Sequence, residues 1–300
     1  MTPEYDLLHL ASGAWELEVH PARGGAVTAL RHRGKPVLVS PGPASADAMG
    51  AANFALLPYA NRIARGHVEH RGRQWHLPRN FGEHAHSLHG TGWKRPWSVS
   101  AQSTDFIELA LRHEADEHWP WAFTARQRIS LMAEARFELH VTNTAPETAP
   151  MGLGFHPAFA ACGATRLRTQ VAGVWLIDAD SLPLSLAPAG AVLPELPGTV
   201  PVLRRALVDH CFTEWSRELH IDNAGTHGNL SVTMIASPGM DFLQLYMPPG
   251  RAWFCAEPMS QMPDAIHRTG TEETGLRILA PGESMQAWMT LAVREPAAHG

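Results

Sequence analysis

The chain has 300 residues, 45% of them apolar and 18% charged, with a formal net charge of −5. That composition supplies a substantial core, and the acidic balance excludes the basic face that nucleic acid or an anionic membrane surface would require. Three widely spaced cysteines, Cys162, Cys211 and Cys255, make neither a disulfide framework nor a CxxC metal motif.

The first residues lack a basic segment followed by an apolar one, and no apolar run approaches the ~18 residues of a membrane helix. The expectation is a cytoplasmic protein with no membrane or nucleic-acid partner. Trp15, Leu17 and Val19 then alternate with Glu16, Glu18 and His20, the period of a strand with one face buried and one wet. Arg33-Gly34-Lys35 reads as a turn, and Ser45 to Ala52 is the best candidate for a helix, short and flanked by glycine. The alternation returns at Ile107, Leu109 and Leu111, at Phe137, Leu139 and Val141, and at Leu230, Val232 and Met234. Turns are marked at Asn143 to Pro150 and at Pro248-Pro249-Gly250. Leu182 to Pro201, rich in Pro, Ala and Gly, reads as a long ordered loop, and residues 295–300 as a frayed tail. Many strands, frequent turns and almost no helix predict an all-β protein, a large antiparallel sandwich. No linker, charge block or repeat divides it, so residues 1–300 are expected to form one domain.

Four segments interrupt this background with polar groups that a plain sandwich does not need. They are Pro58 to Ile63 with Gly66, His84 to Gly90 running into Trp93 and Trp97, Gly154 to Phe159, and Asp209 to Thr213 taken with Glu257-Pro258 and Pro263-Asp264-Ala265. Eighteen histidines mostly reflect a surface on which lysine is nearly absent. His156 stands among aromatic residues, where an ordinary buried neutral histidine is the commoner outcome. Glu257 carries more information, because it follows the apolar run Trp253-Phe254-Cys255-Ala256. A carboxyl in such a run is rare unless paired or functional, and desolvation would raise its pKa toward that of a general base. His84 and His86, two apart on a presumed strand, could share a face and form a metal triad with His89. No cysteine and no carboxylate beyond Glu83 accompanies them, so the expectation is no metal and no cofactor.

Taken in order, Asn61-Arg62-Ile63, Ser87-Leu88-His89-Gly90 with Trp93, Gly154-Phe155-His156-Pro157, Asp209 to Thr213 with Trp215, and Cys255-Ala256-Glu257-Pro258 resemble the aldose 1-epimerase (galactose mutarotase) family, particularly its shorter bacterial branch. Together they span roughly residues 20 to 290. The resemblance implies a β-supersandwich with a shallow cleft over one sheet, and a sugar as the small-molecule partner of a monomer or homodimer. It implies Glu257 as general base, His156 as general acid, and His89, Arg62 and Asp209 as groups that hold the sugar. Thr91, where a second glycine often follows, and Gly-Phe-His-Pro in place of an Asn-His-Ser-Tyr type of sequence depart from the larger branch. Both line the expected cleft and bear on which sugar is bound.

The chemistry that fits is removal of the anomeric hydroxyl proton with protonation of the ring oxygen, by a carboxylate and an imidazolium on opposite sides of the sugar. Arg62 would fork to vicinal hydroxyls and Asp209 would accept from others. Two alternatives are a sugar-phosphate mutarotase, for which Arg204 and Arg205 give thin support, and a carbohydrate-binding protein without catalysis.

Overall fold

In a computed structural model of the chain, residues 7–42, 48–227, 230–268 and 274–294 are described. The expected tail, 295–300, and the start of the expected helix, 45–47, lie outside them. The alternating segments form strands whose burial follows the same period. Trp15, Leu17 and Val19 of Trp15–His20 are buried, as are Phe137, Leu139 and Val141 of Ala135–Asn143. Arg33 and Gly34 both have positive φ, the backbone a tight hairpin needs, and they join Ala26–His32 to Lys35–Val39.

Two antiparallel sheets dominate, one of twelve strands and one of nine. Leu17 and Leu30 of the first pack in one apolar layer with Leu109, Phe137 and Leu219 of the second. Burying each such side chain contributes roughly 1.5–3 kcal/mol, so the inward faces hold the sandwich together. Among the described residues, no helix is long and apolar enough to cross a membrane.

Two expectations about local structure are corrected. In the described part of the expected helix there is only a 3-10 turn, Ala48–Gly50, and it ends on a glycine, which disfavours propagation. Leu182 to Pro201 is not all loop. Pro183–Pro188 is the edge strand of the larger sheet, and Val200–Pro201 is the edge strand of the smaller. Prolines fit there because an edge strand has amide positions that need no partner.

The middle of the larger sheet carries the segments singled out in the sequence. Val208–Thr213, Phe242–Met247, Trp253–Met259 and Ala158–Ala160 lie side by side. Their inner face joins the core through Phe212, Leu245 and Phe254. Over the other face the chain makes excursions in which Arg62–Ile63 pairs with Ser87–Leu88 and Gly90 bridges to Leu57. Gly90 has φ +70°, and a Cβ there would lie 2.1 Å from the Leu57 carbonyl oxygen, so only glycine allows this approach.

Candidate active site

Between the excursions and the sheet is a cleft of about 370 Å³ that brings Arg62, His89, His156, Asp209 and Glu257 together. All five residues expected from the sequence therefore share one cavity. Glu257 lies inside a strand that is buried on both faces, and only 2% of its surface is exposed. Its Oε1 is 3.4 Å from His156 Nε2. The imidazole is held from three directions. Phe54 stacks on it at 4.5 Å between ring centroids, His89 meets it edge-on at 5.3 Å, and its backbone N–H donates to both the Phe54 carbonyl and Asn53 Oδ1.

The charges are arranged by burial. Desolvation pushes Glu257 well above the usual carboxylate range, Asp209 adds to this, and Arg62 opposes it. Desolvation also lowers His156 to about 4, against smaller raising effects from its own backbone and Asp209. Burial, helped by nearby His156 and Arg62, takes His89 well below an ordinary histidine. Although the Glu257–His156 contact has the geometry of an ion pair, both shifts disfavour its charged form. The free protein at neutral pH thus holds a neutral imidazole beside a carboxyl of raised proton affinity, not the expected imidazolium. At 3.4 Å the two groups are also in direct contact, where the expectation set them on opposite sides of a sugar.

Arg62 and Asp209 are engaged with each other. Arg62 Nη2 donates to Asp209 Oδ2 at 2.8 Å, and its Nη1 donates to Asn61 Oδ1 at 3.1 Å. Each terminal nitrogen of the guanidinium fork thus spends one of its two N–H groups inside the protein, while the buried Nε has no partner. Asp209 Oδ1 accepts from Gln244 Nε2 at 2.5 Å, so the carboxylate is fixed from both sides. His89 is fixed in a reciprocal clasp in which its N–H donates to the Asn61 carbonyl and its Nδ1 accepts the Asn61 N–H at 3.1 Å. Both residues have positive φ, 61° and 59°, a strained conformation held by these bonds.

That clasp also bears on metal binding. His89, His156 and Glu257 offer ligand atoms within 4.8 Å of one another. Neutral His89 uses its Nδ1 lone pair on Asn61, so Nε2 carries the proton and is a donor, not a metal ligand. The His84/His86/His89 triad is not assembled. Residues 84–86 are not a strand. His86 is buried, accepting from Arg65 N–H through Nδ1 and contacting the Asp180 carbonyl through Nε2, both at 3.0 Å.

A family model for aldose 1-epimerase matches residues 7–292. The chain belongs to the aldose 1-epimerase family. It is 31% identical over 296 residues to the uncharacterised protein YphB of Escherichia coli K12, covering 95% of this chain and 97% of that one. A crystal structure of a putative aldose 1-epimerase from Escherichia coli K12 superposes with a TM-score of 0.87 at 30% identity, over 97% of this chain and 99% of that one. A galactose mutarotase-like protein from Clostridium acetobutylicum has the same fold, with a TM-score of 0.85 at 18% identity over 97% and 95% of the two chains.

In this member of the aldose 1-epimerase family, sequence reasoning missed several lining residues. Asn61 was part of a quoted motif but had no role, and His84, read as a surface histidine once the metal triad was set aside, lines the cleft. Gln244, which acts from behind the lining by holding Asp209, was missed altogether, yet a lone amide within Phe242–Met247, an otherwise apolar strand, was a usable signal. Tyr246 and Trp253 also line the cleft, and nothing in the sequence separates them from core aromatics.

Proposed function

We propose that the chain is an aldose 1-epimerase that interconverts the α and β anomers of a free aldose, with Glu257 and His156 as the proton-transfer pair. The observation that carries this reading is their 3.4 Å contact, a carboxyl and an imidazole buried together in a cleft. Mutarotation removes a proton from the anomeric hydroxyl and delivers one to the ring oxygen. The ring opens, the C1–C2 bond rotates, and the aldehyde recloses on its other face. Each passage needs one proton on the pair. With the proton on His156, Glu257 takes the O1 proton while His156 protonates O5. The open-chain aldehyde then coexists with a protonated Glu257 and a neutral His156, the arrangement burial favours. Reclosure returns both protons. Free protein reaches the working form by passing the proton across the Oε1–Nε2 contact.

His89 presents its Nε2–H as a donor to a sugar oxygen, and the Arg62–Asp209 pair offers the remaining Nη–H groups and carboxylate lone pairs to others. Proton transfer in this scheme uses no metal and no cofactor. A sugar phosphate would call for a cluster of free arginines. Arg204 bonds Glu195 at 2.9 Å, and neither it nor Arg205 lines the cleft. A binding protein without catalysis has no use for a buried acid/base pair. The test is anomeric exchange, followed by NMR on a panel of pure aldose anomers. Wild type should accelerate at least one, and folded Glu257→Gln should be about 10²–10⁴-fold slower. A wild type that accelerates none, or a variant that matches wild type, would sink the reading.

A further inference from the structure

Pro263-Asp264-Ala265 stands out in the sequence, yet none of the three lines the cleft. The segment follows closely on Trp253–Met259, the strand that carries Glu257, and it contacts the chain that carries Arg62. Three hydrogen bonds join them. Gln261 Nε2 donates to the Ala60 carbonyl at 3.1 Å, the Asp264 N–H donates to the Arg62 carbonyl at 2.8 Å, and the Ala64 N–H donates to Asp264 Oδ1 at 2.8 Å. The residues between these are engaged by the His89 segment instead. Asn61 is clasped by His89, and Ile63 pairs with Ser87. Arg62 therefore sits where the chain leading away from Glu257 meets the chain leading to His89.

Asp264 supplies two of the three bonds, and they bracket Ile63. Its φ is +56°, a conformation that costs a non-glycine residue energy and persists only where the surroundings impose it. Its Oδ1 is also 2.7 Å from Nδ1 of His267, in the Ala265–Arg268 turn that follows, and the His267 ring stacks on His67 at 5.8 Å. The carboxyl cannot turn away from Ala64 without straining a second contact. Arg62–Ile63 itself is a two-residue pairing with Ser87–Leu88, too short to fix its own direction. A backbone shift of about 1 Å at Arg62 would carry its guanidinium off Asn61 and Asp209, because hydrogen bonds do not survive such stretching.

We propose that Asp264 is a positioning residue for the reaction, holding the backbone on both sides of Ile63 so that the Arg62 guanidinium meets Asn61 and Asp209 in the cleft. This rests on the epimerase reading for what Arg62 does, and extends the machinery to a residue outside the cleft.

The test is a double-mutant cycle. Asp264→Gly removes the side-chain acceptor at a positive φ that glycine adopts freely, whereas Asp264→Asn tolerates the same φ and keeps an oxygen for Ala64. In anomeric exchange, kcat/KM should fall about 10–100-fold in Asp264→Gly and stay within about threefold of wild type in Asp264→Asn. With Arg62→Lys already present, adding Asp264→Gly should cost less than about threefold more, since the two act through one group. Losses that multiply would show that Asp264 serves the fold alone and would overturn the proposal. Wild-type kinetics in Asp264→Gly would do the same, as would an Asn variant as impaired as the Gly one. Should Asp264→Gly not fold, Ala64→Pro breaks the same bond by deleting its donor, and the same outcomes apply. Ile63, at φ −117° and ψ 120°, already has the conformation that precedes proline.

Position can also be read without turnover, from the guanidinium NMR signal that Arg62→Lys removes. That signal should shift in Asp264→Gly and hold in Asp264→Asn, and an unmoved signal in Asp264→Gly would overturn the proposal. A wild type that exchanges no aldose would remove the epimerase reading and leave the positioning of Arg62 to be decided by this signal.

Discussion

Among the described residues the candidate cleft is not the roomiest cavity, and a larger one offers an instructive contrast. A cavity of about 570 Å³ is lined by Trp175, Trp215 and Phe242, with Arg217 and Asp241 joined at 2.7 Å. Those two side chains are 41% and 49% exposed, so water and salt screen them, and such pairs contribute at most ~1 kcal/mol. In the smaller cleft the acid and base are buried and driven in opposite directions from their ordinary pKa values. The contrast teaches that volume identifies a place for a ligand, whereas desolvated titratable groups in contact identify a place for a reaction.

The most forceful way to break the contrast is to remove the pair. His156→Asn should cost ~10²–10⁴-fold in kcat, as should Glu257→Gln, a barrier increase of roughly 3–5 kcal/mol each. Because the two groups serve one event, the double variant should lose far less than the product of the single losses. Multiplicative losses measured by anomeric exchange would mean that the groups act independently. Next in size is Arg62→Lys. A lysine cannot keep the planar fork to both Asn61 and Asp209, so kcat/KM should fall about 10–100-fold although charge is retained. Wild-type kinetics would remove Arg62 from the site.

Glu257→Gln also probes stability, with a sign that can be worked out. A carboxyl whose folded pKa is raised above 4.5 leaves the folded state holding more protons than the unfolded one, so its contribution falls as pH rises through that window. His156, lowered from 6.5 to about 4, contributes in the opposite sense between those values. Where the two windows overlap, from pH 4.5 upward, they offset one another, and above 6.5 His156 is neutral in both states, so only the Glu257 penalty is left. Denaturant unfolding at pH 8 should therefore find Glu257→Gln at least as stable as wild type, while a clear loss would show that the carboxylate supports the fold. The smallest effect belongs to the larger cavity, where Arg217→Ala should leave kcat within about twofold of wild type.

Much of this was legible in the sequence. Half-buried strands impose a period of two, so Trp15–His20 and Ala135–Asn143 could be read directly. The edge strand Pro183–Pro188 could not, because Leu184 and Leu186 are exposed and its prolines resemble those of a loop. Arg62, His89, His156, Asp209 and Glu257 stood out as polar groups in apolar or motif-like settings. Their couplings did not. That Arg62 is engaged with Asp209, that His89 is clasped by Asn61, and that His156 is stripped of its charge are consequences of strands distant in sequence closing over one another. His84 and His86 illustrate the same limit, since their spacing suggested a shared face and the backbone there is not a strand.

The central claim is that Glu257 and His156 work as one buried pair carrying one proton, and the pH dependence of kcat/KM addresses it most directly. The pair is inactivated by taking up a second proton or by losing its only one. With His156 at about 4 and Glu257 raised, activity should fall on the acid side near pH 4 and decline again on the basic side only above the usual carboxylate range. An acid limb near 6.5, where an ordinary exposed histidine titrates, would contradict the account.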